Sequence, residues 1–400
     1  MRTLRKLSFF LLVFLILPFG ICSYAETTPI RIGSTLALTG PFSATTAMQK
    51  IAGDIFIEQI NKRGGLLGRP VEWVLKDDQS KPELTRILYE KLITDDKVDL
   101  VIGPYATGAI LSAMGVAQRF NKVLLHNTFG LPSQAKYDMQ FSVSGGAYEI
   151  EKVWPKLVFD SLSSTSKPIK SVAIVSSKFP SVYFVSEGAR EEIKKRGIKE
   201  SLFLDWDFGN RDFGAIAARI KDANPDFLWI GGVGVEGNLL IDAMKKIDYS
   251  PSLSFVTFPA PSLMTKSPNG EGVMALTVFE EHPPFTNNPV AANFVKAFHE
   301  KGMSENLPDP SVDLMASVAY STWQVLEAAV VSTKSLDDKT LAAWIKKNQV
   351  DTIIGKMRWD GTNNFMSGSD LYKVKQVQNG KWVVIYPKEF AAPGVKLKTP

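Results

Sequence analysis

Residues 61–108 read NKRGGLLGRPVEWVLKDDQSKPELTRILYEKLITDDKVDLVIGPYATG, and this stretch sets the class of the fold. It contains the end of a glycine-terminated helix, a strand, a charged helix, a second strand and the turn that opens another helix. This alternation predicts a parallel sheet, because parallel strands need a helical crossover between them. Ligands of such sheets bind outside the carboxyl ends of the strands, where helices begin. The stretch therefore indicates where a functional site should lie.

The same alternation continues along the chain and then changes. A first series of strands and helices extends from residue 30 to about residue 140, and a second extends from 149 to 279. Two helices follow at 290–301 and 312–332, and the segment after residue 353 alternates as antiparallel strands do. We predict an α/β fold with two lobes, each a parallel sheet flanked by helices, and a ligand cleft between the lobes.

The first 25 residues have the parts of an export signal. A basic start at residues 2–6 precedes an apolar run at 7–17 that is too short for a comfortable membrane span. Small residues then stand before an expected cleavage site after Ala25, which predicts a periplasmic protein. Lipidation of Cys22 is the alternative, but Ile21 precedes it where a small residue is expected.

Composition limits the kind of partner. The chain has 46 Lys and Arg against 41 Asp and Glu, a net charge of +5, and loss of the three basic residues of the signal leaves +2. A nearly neutral chain lacks the concentrated basic face that nucleic acid requires. Cys22 is the only cysteine, so the exported chain uses no disulfide and depends on burial of its cores.

Motifs typical of enzymes are weak in this chain. Residues 232–237 match G-x-G-x-x-G, but no acid ends the next strand, so a tight turn is favoured over a dinucleotide site. Residues 164–167 match S-x-x-K in a polar loop without the companion motifs and are interpreted as a linker. His126, His282 and His299 have no metal-ligand spacing. We therefore expect no enzyme activity, no cofactor and no metal.

The openings of three helices in the first series are better candidates for a site. These openings are TGPFS at 39–43, GPYATG at 103–108 and NTFG at 127–130. Free N–H groups at helix starts favour an anion such as a carboxylate. Phe42, Tyr105 and Phe129 add aromatic surface, which suits a ligand with an acid end and an apolar end. The alternative is that Thr107 only caps a helix and that the rings belong to the core.

Several segments, in this order and spacing, resemble the leucine/isoleucine/valine-type periplasmic binding proteins of ABC importers. These segments are LTGP at 38–41, INKRGG at 60–65, GRP at 68–70, DDQS at 77–80 with Pro82, and GP at 103–104. The resemblance extends over nearly the whole chain after the signal. It implies a type I periplasmic-binding-protein fold, with three hinge crossings and a cleft that closes on its ligand before delivery to an ABC permease.

The resemblance also implies roles for single residues. The hydroxyl of Thr107 falls where the family holds the ligand carboxylate, and the N–H groups of Gly108 and Thr128 would assist it. The apolar part of the ligand would be surrounded by Phe42, Tyr105, Phe129 and, from the second lobe, Tyr183.

Two positions differ from the family pattern. Gly130 stands where a threonine is usual, and residues 259–261 read PAP where amino-acid binders often carry an acid for the ligand ammonium. Glu236 is the substitute that we consider for that acid. The expected ligand is a small amphipathic carboxylate, a branched-chain or related amino acid, and an aromatic or aliphatic carboxylate or amide is the alternative.

The predicted division of the chain follows from these assignments. We expect a signal peptide at 1–25, a first lobe from 26–147 and 279–350, a second from 148–278 and 351–390, and a tail at 391–400. The expected role is a monomer that delivers a small-molecule ligand to the membrane subunits of an ABC permease. A sensor for a signalling partner is the alternative role. An enzyme is disfavoured because nucleophile motifs are missing.

Overall fold

The computed structural model describes residues 28–144, 147–164, 168–368 and 371–399. The predicted signal peptide, Cys22 and most of the S-x-x-K segment lie outside these residues.

The first series forms a five-stranded parallel sheet with helices between its strands. Its elements are β1 (Ile30–Leu36), α1 (Ser43–Lys62), β2 (Val71–Asp77), α2 (Pro82–Thr94), β3 (Leu100–Ile102), α3 (Thr107–Phe120), β4 (Leu124–His126) and β5 (Gln140–Ser142). The strand order is β2-β1-β3-β4-β5. Gly65 shows why α1 ends where the sequence predicts: its φ is +76°, and a Cβ there would lie 1.9 Å from the carbonyl oxygen of Arg69.

The second series forms a larger sheet. Its elements are α4 (Ile150–Ser161), β6 (Ser171–Ser177), α5 (Pro180–Lys195), β7 (Lys199–Trp206), α6 (Gly214–Ala223), β8 (Phe227–Gly234), α7 (Glu236–Lys246), β9 (Ser254–Pro259), α8 (Pro261–Lys266) and β10 (Val273–Thr277). Strands β6, β8 and β9 are almost wholly buried, as their continuous apolar sequences require for a sheet covered on both faces.

The remaining elements return to both sheets. They are α9 (Pro289–Ser304), α10 (Leu314–Thr333), α11 (Asp338–Ile345), β11 (Val350–Thr352), β12 (Gly355–Met357), β13 (Lys373–Gln378) and β14 (Lys381–Tyr386). Helices α9 and α10 pack on α1 of the first lobe, while β13 and β14 extend the second sheet to seven strands in the order β14-β13-β10-β9-β8-β6-β7. The antiparallel β13–β14 pair confirms the alternation predicted for the tail.

Helix α10 is long and apolar enough to cross a membrane by composition alone. Two thirds of that apolar window is buried inside the protein. Tyr320 and Trp323 both pack against the ring of Phe56 on α1, with ring centroids 5.4 and 5.7 Å apart. These contacts are typical of the core helix of a soluble lobe.

The described residues pass between the lobes three times, as predicted: between β5 and α4, between β10 and α9, and between β12 and β13. The last crossing shows where the second lobe resumes. The indole N–H of Trp359 donates to the carbonyl of Ser142 in β5 at 2.7 Å, and the side chain of Asn364 donates to the carbonyl of Gln140 at 3.0 Å. Because residues 350–366 therefore pack with the first lobe, we propose that the second lobe resumes near residue 371 instead of 351.

The predicted tail is not separate from the second lobe. The side-chain amides of Gln376 and Gln378 in β13 donate to the carbonyls of Lys398 and Lys396, at 2.9 and 2.7 Å. These bonds hold the C-terminal segment along the second sheet.

Candidate functional site

A cavity lies between the lobes, at the carboxyl ends of the strands of both sheets. The first lobe contributes Tyr105, Ala106, Thr107, Asn127, Thr128, Phe129, Gly130, Ser144, Leu314 and Met315; the second lobe contributes Trp154, Phe179, Ser181, Val233 and Phe258; and Tyr372 comes from the third crossing. Six of these residues are aromatic, and none of the lining residues is Asp, Glu, Lys, Arg or His. Among the residues that the structure describes, the cavity is therefore lined by aromatic rings, hydroxyl groups and an amide, without a charged side chain.

The start of α3 forms the polar end of this cavity. Ala106 has φ +72° and ψ 149°, a conformation that costs a non-glycine residue about 1–3 kcal/mol, and its N–H donates to the Thr128 hydroxyl at 3.0 Å. The Thr107 hydroxyl accepts a hydrogen bond from the N–H of Gly130 at 3.0 Å. Its own hydrogen has no acceptor among the described residues, so it is available to a ligand beside the free first-turn N–H groups of α3.

The two lobes touch beside this polar end. A Cβ atom on Gly130 would lie 2.1 Å from the Cβ of Ser181 on α5. At the mouth of the cleft, the ring of Phe42 in the first lobe packs on Phe179 and Phe208 of the second, with centroids 5.9 and 5.6 Å apart. The structure thus has the cleft closed, and glycine at position 130 permits the close approach.

Four of the eight residues predicted for the site line the cavity: Tyr105, Thr107, Thr128 and Phe129. Phe42 lies one layer outside, with its ring 5.3 Å from that of Tyr105. Gly108 does not line the cavity; its Cα faces the start of α2, where a Cβ would lie 3.1 Å from the Cγ of Pro82. Gly108 is available to a ligand only through its N–H group.

The structure does not bring Tyr183 to the cavity. Helix α5 begins at Pro180, and the residues at its start, Phe179 and Ser181, face the cleft. Tyr183 lies two residues after Ser181, which turns its side chain about 200° around the helix. Its ring instead lies 6.3 Å from that of Phe203 in β7.

Glu236 is likewise absent from the cavity wall and serves the second lobe. One carboxylate oxygen accepts hydrogen bonds from the indole of Trp206 and the N–H of Gly209, at 3.1 and 3.0 Å. The other accepts from the N–H of Val233 at 3.1 Å. The carboxylate thus ties β7 and β8 to the start of α7, and the G-x-G-x-x-G segment is the turn that precedes it, as predicted.

A family model described as "Periplasmic binding protein" matches residues 29–381. The chain belongs to the periplasmic binding protein family. Members of this family are solute-binding receptors and not enzymes. The family description indicates that they act in the periplasm.

The Leu/Ile/Val-binding protein BraC3 of Rhizobium johnstonii is 26% identical over 349 residues, covering 86% of this chain and 91% of that protein. Two solved structures of similar fold carry different ligands. One is the branched-chain amino acid transporter substrate-binding protein LivJ of Streptococcus pneumoniae, in complex with isoleucine. It matches with a TM-score of 0.76 at 17% sequence identity, and the match covers 90% of this chain and 100% of LivJ. The other is a solute-binding protein of an ABC transporter of Rhodopseudomonas palustris, in complex with 3,4-dihydroxybenzoic acid. It matches with a TM-score of 0.76 at 18% sequence identity, and the match covers 92% of this chain and 99% of that protein.

Several lining residues of this periplasmic binding protein escaped the sequence analysis. Phe179 and Ser181 follow β6, and Phe258 ends β9, so the rule that sites lie at the carboxyl ends of strands would have found them. Trp154 and Tyr372 lie next to the interlobe crossings. Their place in the site depends on how the two lobes meet, for which local sequence gives no signal.

The acid next to the cavity in sequence is Asp313, which precedes the lining residues Leu314 and Met315. It caps α10 by accepting a hydrogen bond from the N–H of Ala316 at 2.8 Å. Burial raises the pKa of Asp313 to about 6, although the positive charge of Lys375 acts in the opposite direction. The carboxylate is therefore committed to the helix end and is absent from the cavity wall.

Replacing Asp313 by asparagine should increase stability at neutral pH. Because burial raises the pKa of Asp313 to about 6, the ionised carboxylate destabilises the folded state above pH 6, by about 3 kcal/mol. This cost disappears as the pH falls through 6 to about 4. Asparagine keeps the capping oxygen. Denaturant unfolding at several pH values should therefore show a gain at pH 7.5 that vanishes near pH 4.

Asp337 is the matched control for this substitution. It caps α11 by accepting from the N–H of Thr340 at 2.8 Å, but it is exposed and the hydrogen bonds from Thr340 lower its pKa. Asp337→Asn should give no gain at pH 7.5. A gain for Asp313→Asn that did not change with pH would contradict the burial argument.

Proposed function

We propose that this chain is the soluble receptor of an ABC importer and that its ligand is a small carboxylate without an amine, with an aromatic acid as the leading class. The observation that carries the proposal is the composition of the cavity wall: six aromatic rings, and no charged side chain. Aromatic walls provide apolar and ring-stacking contact for a flat apolar body. The polar end at α3 provides donors for one carboxylate.

The argument against an amine is electrostatic. An ammonium buried without a carboxylate costs several kcal/mol, because it loses its water without gaining a counter-charge. Residues 259–261 carry no acid, Glu236 is hydrogen bonded within the second lobe, and Asp313 caps α10. Among the described residues, no carboxylate lines the cavity to receive an ammonium.

A branched-chain amino acid is the second candidate, and the similarity to Leu/Ile/Val-binding proteins favours it. Matched pairs of ligands separate the two proposals. A thermal-shift screen of residues 26–400 would compare leucine with 4-methylpentanoate, and phenylalanine with 3-phenylpropanoate. Benzoate would be included as a further acid without an amine. A ligand at one hundred times its dissociation constant adds about 2.7 kcal/mol to the free energy of unfolding. We expect shifts with the acids that lack an amine; a shift with leucine alone would favour the second candidate.

Thr107→Val should weaken carboxylate binding by about tenfold or more. The change keeps the shape of the side chain but removes the hydroxyl that faces the ligand, and a hydrogen bond to a charged group contributes about 1.5–3 kcal/mol. Thr107→Ser is the matched control, because it keeps the hydroxyl and should retain most of the affinity. Titration calorimetry with benzoate measures both variants. Equal affinity for the valine variant and the original protein would remove Thr107 from the site.

The remaining features of the proposal concern location and partners. We propose cleavage after Ala25, export to the periplasm, and delivery of the ligand by a monomer to the permease subunits of the importer. The support is the amino-terminal sequence and membership of the family. A sensor role would use the same cleft but a different protein partner, and genes that flank this one distinguish the two roles.

A further inference from the structure

Two polar atoms of the cavity wall have no hydrogen-bond partner among the described residues. They are the indole Nε1 of Trp154 and the amide oxygen Oδ1 of Asn127. Both residues line the cavity, and their exposed fractions are 5% and 7%. A buried polar group without a partner is costly, so such a pair is uncommon in a native protein unless something else binds there.

The orientation of the Asn127 amide is fixed by its neighbour. Its Nδ2 lies 3.3 Å from the hydroxyl oxygen of Thr322, and that hydroxyl donates its own hydrogen to the carbonyl of Val318 at 2.8 Å. Because the Thr322 oxygen is thereby left to accept, the NH₂ group of Asn127 must face it. The unpartnered atom of Asn127 is therefore an acceptor, which requires a donor.

The orientation of Trp154 is fixed by ring packing. Its ring lies 4.8 Å from that of Tyr372 and 5.8 Å from that of Phe258, and both of these rings also line the cavity. The indole N–H is a donor only, so it requires an acceptor. The second lobe thus offers a donor and the first lobe an acceptor within one aromatic chamber.

A hydroxyl group matches both requirements, because it can accept a hydrogen bond from an N–H and donate one to an amide oxygen. An ammonium group has no acceptor and would leave Trp154 unpaired, while a second carboxylate has no donor and would leave Asn127 unpaired. We infer that the ligand is an aromatic carboxylate that carries a ring hydroxyl, and that Trp154 and Asn127 determine this specificity. The inference rests on the proposed function and names the ligand class of the same cleft.

Calorimetry with residues 26–400 tests the inference against a graded set of acids: benzoate and its 2-, 3- and 4-hydroxy derivatives. At least one hydroxybenzoate should bind about tenfold more tightly than benzoate, because benzoate leaves both buried atoms unpaired. Trp154→Phe and Asn127→Leu should each reduce that ratio at least about fivefold, and because the ratio is taken within each variant, a change in affinity common to both acids cancels. Trp382→Phe is the control, since its indole donates to the carbonyl of Pro261, which does not line the cavity.

The outcomes separate this inference from the proposed function. Benzoate binding as tight as that of every hydroxybenzoate would overturn the role of Trp154 and Asn127 while leaving an aromatic-acid receptor. A preference for a hydroxybenzoate that survives both substitutions would overturn the assignment of these two residues. Failure of all four acids to bind while 3-phenylpropanoate binds would overturn this inference and leave the proposed function, whereas failure of 3-phenylpropanoate as well would overturn both.

Discussion

Gly130→Ala should weaken ligand binding by about 10- to 100-fold without destabilising the ligand-free protein. The new Cβ would lie 2.1 Å from the Cβ of Ser181, and overpacking of this kind costs about 1–3 kcal/mol. The cost falls only on the closed form, because the two residues belong to different lobes. The cost of the clash is then subtracted from the free energy of ligand binding, because the ligand prefers the closed form and binding requires closure. Benzoate calorimetry and the melting temperature without ligand measure the two effects.

A second substitution tests whether the clash is the cause. In the double variant Gly130→Ala with Ser181→Gly, the nearest second-lobe atom that remains to the new Cβ is the Cα of residue 181 at 3.1 Å, so binding should largely recover. Gly115→Ala on α3 is the control, because a Cβ there meets nothing within 4 Å. Lost affinity that the double variant does not restore would mean that Gly130 acts through the ligand and not through closure.

Glu280→Ala should lower the free energy of unfolding by about 3–5 kcal/mol. Glu280 lies in the second crossing, and its carboxylate accepts a hydrogen bond from the ammonium of Lys375 in β13 at 2.7 Å. The two side chains are only 10% and 5% exposed, so the substitution leaves a buried ammonium without the carboxylate that it contacts. Chemical denaturation followed by tryptophan fluorescence measures the loss.

The double variant Glu280→Leu with Lys375→Met separates charge from packing. Replacing a whole buried ion pair by apolar residues of similar volume is often neutral or stabilising, so most of the lost stability should return. Stability as low as that of Glu280→Ala would show that the pair matters through packing instead of charge balance. Lys50→Ala, which removes an ion pair with Asp54 in which both side chains are more than a quarter exposed, should change the stability little.

The architecture could be predicted from the sequence because its signals are local. Apolar strands, glycine-ended helices such as α1 and alternation in β13 and β14 each specify their own segment. The elements that the prediction omitted are short: β5 and β11 have three residues each, α8 has six and α11 has eight. Such segments contain too few residues to show a period, and β5 exists because β4 offers it a partner edge.

The site could be predicted only in the first lobe. The rule that helix starts bind anions located Thr107, and the adjacent aromatic residues Tyr105 and Phe129 came with it. The two second-lobe candidates, Tyr183 and Glu236, do not line the cavity, for geometric reasons. Tyr183 lies on the opposite side of α5 from Ser181, and Glu236 closes a hydrogen-bond network inside its own lobe. The packing of one lobe against the other determines which residues face the cleft. Local sequence patterns do not specify that packing.

The most direct test of the proposed ligand class compares two ligands that differ only by an amine. Titration calorimetry of residues 26–400 would compare 3-phenylpropanoate with phenylalanine, two ligands that differ only in the ammonium group. The cavity wall without an acid predicts that the acid lacking the amine binds at least about tenfold more tightly, because a buried ammonium has no carboxylate to receive it. Tighter binding of phenylalanine would contradict the proposal and would require a carboxylate, Asp313 or another, to reach the ligand.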